Sequence, residues 1–329
     1  MRRRGAHREG RRRGSAWHRL LPWAITAGCF WLLYGRVEAA AAREGHALLP
    51  YLLGIFERVN WWRWLLLMVP YSLVFFAIDS LVLWRVVNWF NARVRYVDVL
   101  PVRASAYILS ILNEQIGKGA MAIYLHRREN VPGWQVGSSM LFIMFCEYYY
   151  LLVFATLGVA LRWNELPEVF HAIPAIAVAS ALFFAIWVRY FRGDLLPESR
   201  LRERPILHAF RRAAPWQYAV VMALRAPALL VAVVVYTLSL HLFGVDVGYG
   251  EVFGYLPVVF FGAAVPGPMR AVAITLWVTL LPRHAGEMAA FGLVMHNFFV
   301  FFNAAIGLLF LRRAQRELMG SPARADAGP

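Results

Sequence analysis

The sequence predicts an all-α polytopic membrane protein with about six full spans and two re-entrant helical hairpins in an inverted-repeat arrangement. Three observations lead there. The 329 residues are 60% hydrophobic and 16% charged, where a soluble domain carries roughly 25% charged residues, and the mean hydropathy is +0.52. Several apolar runs reach the roughly 20 residues needed to cross a bilayer. Two further apolar segments are interrupted by polar or proline-rich stretches, and the arginine distribution says how they lie.

Residues 1–19 form a basic cytoplasmic tail containing eight arginines. No base-reading or aromatic feature accompanies them. The tail therefore reads as a positive-inside signal attracted to anionic headgroups, and nucleic acid is not an expected partner. The run from Leu20 to Tyr34 precedes Ala39–Ala42, which resembles a small-residue cleavage site. Arg36 and Glu38 intervene and the charged leader is long, so the run reads as a retained signal anchor. Full spans are expected at about 20–37, 61–84, 134–161, 172–191, 216–243 and 286–311. Trp61, Trp62 and Trp64 read as an aromatic belt at the outer edge of the second span. The stretch RVVNWFNARVRYV (85–97) places Val86, Trp89, Phe90, Val94 and Val97 at helical spacing, which suits a helix lying in the cytoplasmic headgroup layer. Residues 205–216 suggest the same.

The first interrupted segment, 99–126, contains NEQIGKG (113–119). The second, 251–281, contains VPGPMR (265–270). If 99–126 crossed fully, HRREN (126–130) would face outward. So would the loop 189–215, with seven arginines against three acids, against the positive-inside rule. If the segment dips in and returns, both loops are cytoplasmic, and positions near Arg103 and Arg128 share one side. The outer loops 38–60, 162–171 and 244–250 are then poor in net positive charge. The same reasoning makes 251–281 dip in from the outside, which places Arg312 and Arg313 inside. Each half, about 20–161 and 172–311, then reads span, span, hairpin, span. An odd number of crossings inverts the second half relative to the first. Residues 312–329 form a cytoplasmic tail, and the expected location is a bacterial plasma (inner) membrane with both termini cytoplasmic.

Irregular backbone at membrane depth has to be buried in protein or line a wet cavity. In the first break Gly117 and Gly119 permit a sharp reversal, and Asn113 and Gln115 can satisfy freed backbone groups. Lys118, the only lysine, adds a full charge beside a half-helix N-terminus. In the second, Pro266, Gly267 and Pro268 break the chain, Pro268 suits the first position of a new helix, and Arg270 supplies the cation. Two such tips meeting at the midplane would bind an anion, phosphate first among them. The plainer alternative is that glycine and proline only break helices, while Lys118 pairs with Glu114 and Arg270 snorkels outward.

Asp79, Glu147, Arg225 and His296 are further intramembrane ionisable groups, and such residues are functional candidates. Glu147, mid-span in FCEYYYLL, requires a buried partner, with Arg225 and Lys118 available. For His296 a polar contact with Asn297 or Asn303 is expected rather than catalysis. Cys29 and Cys146 lie inside apolar runs, which argues against disulfides and zinc. No metal-ligand spacing, nucleotide loop or nucleophile motif appears, so no cofactor, metal or catalytic residue is assigned.

The stretches LNEQIGKGAMAIYLHRRENVP (112–132), with the following span bearing Glu147, and YLPVVFFGAAVPGPMRAVAITL (255–276) carry a resemblance. Over about residues 20–312 the chain resembles the flippase-like membrane domain of the lysylphosphatidylglycerol synthase family. Asn113, Gly117, Lys118, Arg127 and Arg128 match the family's first pattern, an Asn before a Gly-basic-Gly turn and then a basic pair. Pro257, Pro266 and Gly267 match its second, proline- and glycine-rich break. The family often follows each glycine turn with a glutamate; here Ala120 and Met121 follow the first, and Arg270 marks the second. The resemblance concerns the membrane part alone, without an aminoacyl-transferase domain. It implies lipid translocation and not lysyl transfer. The expectation is a non-enzymatic lipid flippase for an anionic phospholipid or a lipid-linked sugar phosphate, bound between two hairpins by Asn113, Gly117, Lys118, Gly119, Glu147, Arg225, Gly267 and Arg270. The alternative is an accessory membrane subunit or enzyme of polyprenyl-linked sugar or envelope lipid metabolism, with an envelope-biosynthesis enzyme as partner.

Overall fold

A computed structural model describes residues 6–112, 122–123, 125–126, 129–196, 198–264 and 270–319. Every regular element among the described residues is a helix. In chain order they are α1 (Ala6–Arg43), α2 (Leu48–Arg58), α3 (Trp61–Phe90), α4 (Tyr96–Leu112), α5 (Gly133–Leu161), α6 (Ile173–Arg192), α7 (His208–Arg212), α8 (Pro215–Leu242), α9 (Tyr249–Ala264), α10 (Ala271–Leu280) and α11 (Ala285–Met319). Short 3₁₀ turns lead into α6, α7 and α11.

Five helices are long and apolar enough to cross a membrane: α3, α5, α6 with its lead-in turn, α8, and α11 with its own. At 1.5 Å per residue each exceeds the roughly 30 Å hydrocarbon thickness. The expected span at 20–37 lies within α1 and is not among these five. The second interrupted segment is two short helices, α9 of 16 residues and α10 of 10. By the same rise they are about 24 and 15 Å long, too short to cross singly.

Local chemistry sets the ends. Asn60 caps α3 by accepting the Arg63 N–H at 3.0 Å. Pro215 opens α8, where the Gln217 side chain accepts the Ala214 N–H at 2.7 Å. Gly193, at φ 91°, ends α6 in the left-handed conformation that favours glycine, and Asp194 N–H returns to the Arg189 carbonyl.

Two expectations are corrected. Residues 85–97 do not form one interfacial helix: α3 runs to Phe90 and α4 begins at Tyr96. Asn88 makes the turn between them, accepting the Val94 N–H and donating to the carbonyls of Trp84 and Val94. Val86, Phe90 and Val94 are buried in a core with Phe142 and Tyr218, while Val97 is exposed. Trp61 and Trp62 are exposed, as a belt requires, but Trp64 is buried edge-on against Phe298. Within the expected outer loop 38–60, α2 forms and buries Tyr51 and Ile55.

Packing crosses between the halves. The most extensive contacts join α4 to α11 and α9 to α5, and α3 lies along α8. Glycine makes both crossings close. A Cβ on Gly158 of α5 would fall 2.8 Å from the Gly254 backbone of α9, and one on Gly307 of α11 would overlap the Ala104 carbonyl of α4. Helix α6 lies at the periphery and is almost wholly exposed along its apolar length.

The apolar interior divides into two large cores and a small third cluster of Phe76, Ala104 and Ile306. One core gathers Met68, Tyr71, Tyr150, Leu229, Leu256 and Phe291, among others. The other gathers Val82, Phe90, Phe142, Cys146, Tyr218 and Val221. Along α3 the first stops at Tyr71 and the second begins at Val82; along α8 the second stops at Val221 and the first resumes at Leu229. The charged side chains sit in this seam.

Candidate functional site

Asp79 stands at the centre of the seam and is 5% exposed. A carboxylate buried alone among aliphatic side chains would be strongly disfavoured. Here Arg103 of α4 donates from Nε to Oδ2 at 2.5 Å, and the Tyr107 hydroxyl donates to the same oxygen at 2.7 Å. Arg225 of α8 donates from Nη2 to Oδ1 at 3.2 Å. The Arg103 guanidinium also lies 4.8 Å from the Tyr107 ring centre. Arg225 turns its other terminal nitrogen to Glu147 of α5, Nη1 to Oε1 at 3.5 Å, while its Nε finds no partner among the described residues.

Four helices thus contribute one network: α3 (Asp79), α4 (Arg103, Tyr107), α5 (Glu147) and α8 (Arg225). Two guanidinia face two carboxylates, so the network is formally neutral. Its ends differ. The Asp79 and Arg225 side chains are 6% and 7% exposed, but the Glu147 side chain is 38% exposed. The Asp79 end is nearly closed, with the Arg103 side chain 19% exposed, and the Glu147 end is open.

Arg270 lies elsewhere, immediately before α10, with φ 50°. Its guanidinium sits 5.9 Å from the Phe299 ring centre on α11. Phe299 in turn touches Tyr71 of α3, and Tyr71 touches Tyr236 of α8. No carboxylate pairs with Arg270 among the described residues. His296 and Asn303, on the same helix as Phe299, are 2% and 1% exposed. The His296 Nε2 and the Asn303 Oδ1 have no hydrogen-bond partner among the described residues. The expected contact of His296 with Asn297 or Asn303 is not formed among the described residues: Asn297 donates to the Leu293 carbonyl of its own helix, and the Asn303 Oδ1 is unpaired.

Of the sequence-derived site residues, the structure places Glu147 against Arg225 and sets Arg270 apart from both. Asn113, Gly117, Lys118, Gly119 and Gly267 lie outside the described residues. Asp79 was recognisable as an intramembrane acid, but nothing in one-dimensional spacing marks it as the hub. Arg103 was expected near the cytoplasmic edge; the structure turns it inward to Asp79, on the nearly closed side of the seam. The signal available for it was the pairing rule itself, since a buried acid calls for a cation on a neighbouring element. Among the described residues no cluster of His, Cys, Asp and Glu could hold a metal ion. Set against family models, curated proteins and solved structures, the chain matches none of them.

Proposed function

We propose that this protein is a lipid translocator of a bacterial plasma membrane that takes an anionic phospholipid or lipid-linked sugar phosphate headgroup through its interior. The observation that carries this reading is the open end of the charge network. Glu147 lies at mid-span of a helix long enough to cross the bilayer, yet its side chain is 38% exposed beside a buried guanidinium. A carboxylate at that depth cannot face hydrocarbon without large cost. The space before it therefore holds polar matter, either water or a headgroup.

Two features support the inverted-repeat architecture. The cross-half packing is reciprocal, with α4 on α11 and α9 on α5. The close-approach residues repeat at a constant interval: Gly158 and Gly307 are 149 residues apart, and Ala104 and Gly254 are 150 apart. The break between α9 and α10 fits a re-entrant hairpin, α1 supplies a sixth span at 20–37, and the arginine-rich loops put both termini in the cytoplasm. Lys118 and Arg270, one at each hairpin tip, then give an anionic headgroup its two cations.

Native mass spectrometry of the purified protein tests this reading. Anionic lipids should co-purify above their membrane abundance, and Glu147→Gln should change the bound set. Retention of lipids in bulk proportion, unchanged by Glu147→Gln and by Arg270→Ala, would overturn it.

A further inference from the structure

The second polar centre, around Arg270, has features the first lacks. A guanidinium in the protein interior is normally met by a carboxylate, because an unmatched buried charge is costly. Arg103 and Arg225 obey this rule; Arg270, which is half-buried, has no such partner among the described residues. Its position is fixed: it immediately precedes α10, whose first-turn N–H groups have no partner within the helix. Helix dipole and guanidinium therefore add at one point.

The opposite wall is α11. His296, Phe299 and Asn303 follow at intervals of three and four residues and so share one face of the helix. Phe299 lies under the Arg270 guanidinium and touches Tyr71, which fixes the direction of that face. On it stand two polar atoms, His296 Nε2 and Asn303 Oδ1, in side chains more than nine-tenths buried and without partners. Buried polar groups are almost always satisfied in folded proteins. Two orphans on the helix face that carries Phe299, with a cation over that ring that has no carboxylate partner among the described residues, are the groups a bound anion would satisfy.

We propose that Arg270, the first-turn N–H groups of α10, His296 and Asn303 form a receptor for a phosphate group. The guanidinium and the backbone N–H groups bind phosphoryl oxygens, and His296 donates from Nε2. The Asn303 amide meets a hydroxyl or ester edge of the same group. The site does not draw on the Asp79 network, where each guanidinium already has a carboxylate partner. A lipid headgroup phosphate and free inorganic phosphate share this chemistry. The choice of a lipid rests on the translocation reading; the anion site itself does not.

The test uses the purified full chain in detergent micelles, with ligand-induced thermal shift as the readout. The probes are a long-chain phosphatidic acid, phosphatidylcholine and inorganic phosphate. Two variants accompany the wild type: Arg270→Ala, which removes the cation, and Asn303→Asp, which supplies the missing carboxylate. Phosphatidic acid is expected to stabilise the wild type. In both variants its apparent dissociation constant should rise at least about tenfold, the scale of one charged hydrogen bond. Asn303→Asp should keep or raise the ligand-free melting temperature, which separates lost binding from lost folding. Stabilisation by inorganic phosphate alone, abolished in both variants, would confirm the site and refute the lipid source. A phosphatidic acid effect that persists in both folded variants, or no response to any probe, would overturn the site. Headgroup selectivity could still hold through Glu147 and Lys118, so such a failure is distinguishable from failure of the translocation reading.

Discussion

Around Asp79, two guanidinia pair with two carboxylates and a phenol, leaving the Arg225 Nε over, whereas no carboxylate meets Arg270 among the described residues and the buried His296 Nε2 and Asn303 Oδ1 have no partner there. Both centres lie in the interior and both contain arginine. They differ in what removal leaves behind. Deleting a member of the first strands its partners; deleting Arg270 strands no carboxylate. The first centre should therefore govern stability and the second should govern binding.

The largest effect that could break this contrast is at the hub. Asp79→Asn leaves Arg103 and Arg225 facing a neutral amide, and loss of one partner of a buried ion pair costs about 3–5 kcal/mol. Thermal unfolding in detergent should show a large drop in melting temperature and a poor yield. A melting temperature within a degree of wild type would mean that the network is not structural. Glu147→Gln removes only the half-exposed carboxylate. Solvent access screens that interaction, so its loss should be clearly smaller than that of Asp79→Asn, on the order of 1 kcal/mol. Equal losses at the two positions would erase the distinction between the nearly closed and open ends.

A packing test sharpens the comparison between the two halves. Gly307→Leu forces a side chain into the Ala104 backbone, and Gly158→Leu forces one into Gly254. Overpacking costs roughly 1–3 kcal/mol, and the two variants should lose similar amounts if the α4–α11 and α5–α9 crossings are equivalent. Tolerance at one site with collapse at the other would speak against the repeat.

The smallest expected effect lies outside the spans. Burial first, then the Arg212 and Arg211 guanidinia, hold the His208 imidazole below its ordinary range. A base with a lowered folded pKa favours folding fully above its unfolded pKa and loses that contribution as pH falls through about 6.5. Between pH 7.5 and 5.5 the wild type should lose slightly more melting temperature than His208→Gln. The reverse order would contradict the assignment.

Much of the fold was legible because it is dictated by length and hydropathy. The spans at 61–84, 134–161, 172–191, 216–243 and 286–311 each fall on a long apolar helix, and α9 and α10 are separate helices on either side of the stretch where proline was expected to interrupt the chain. What escaped was geometry that needs the third dimension. The stretch 85–97 has helical periodicity, yet the Asn88 side chain bonds to Val94 and turns the chain there. Arg103 was expected only on the cytoplasmic side of its segment, and the packing of α4 on α3 shows that its partner is Asp79. The pairing of Glu147 with Arg225 was legible from the cost of a buried charge, but the sharing of Arg225 between two acids was not. His296 and Asn303 were visible as polar residues in an apolar helix, while their lack of partners is a property of the folded interior alone.

Lipid movement in reconstituted vesicles tests the central claim most directly. Fluorescent phosphatidylglycerol and phosphatidylcholine would be followed across the bilayer by dithionite quenching, with melting temperatures taken on the same preparations. The account predicts faster movement of phosphatidylglycerol than in protein-free vesicles, little acceleration of phosphatidylcholine, and loss of the difference in Lys118→Ala/Arg270→Ala at an unchanged melting temperature. Equal movement of both lipids, or an anionic preference that survives in the folded double variant, would contradict it.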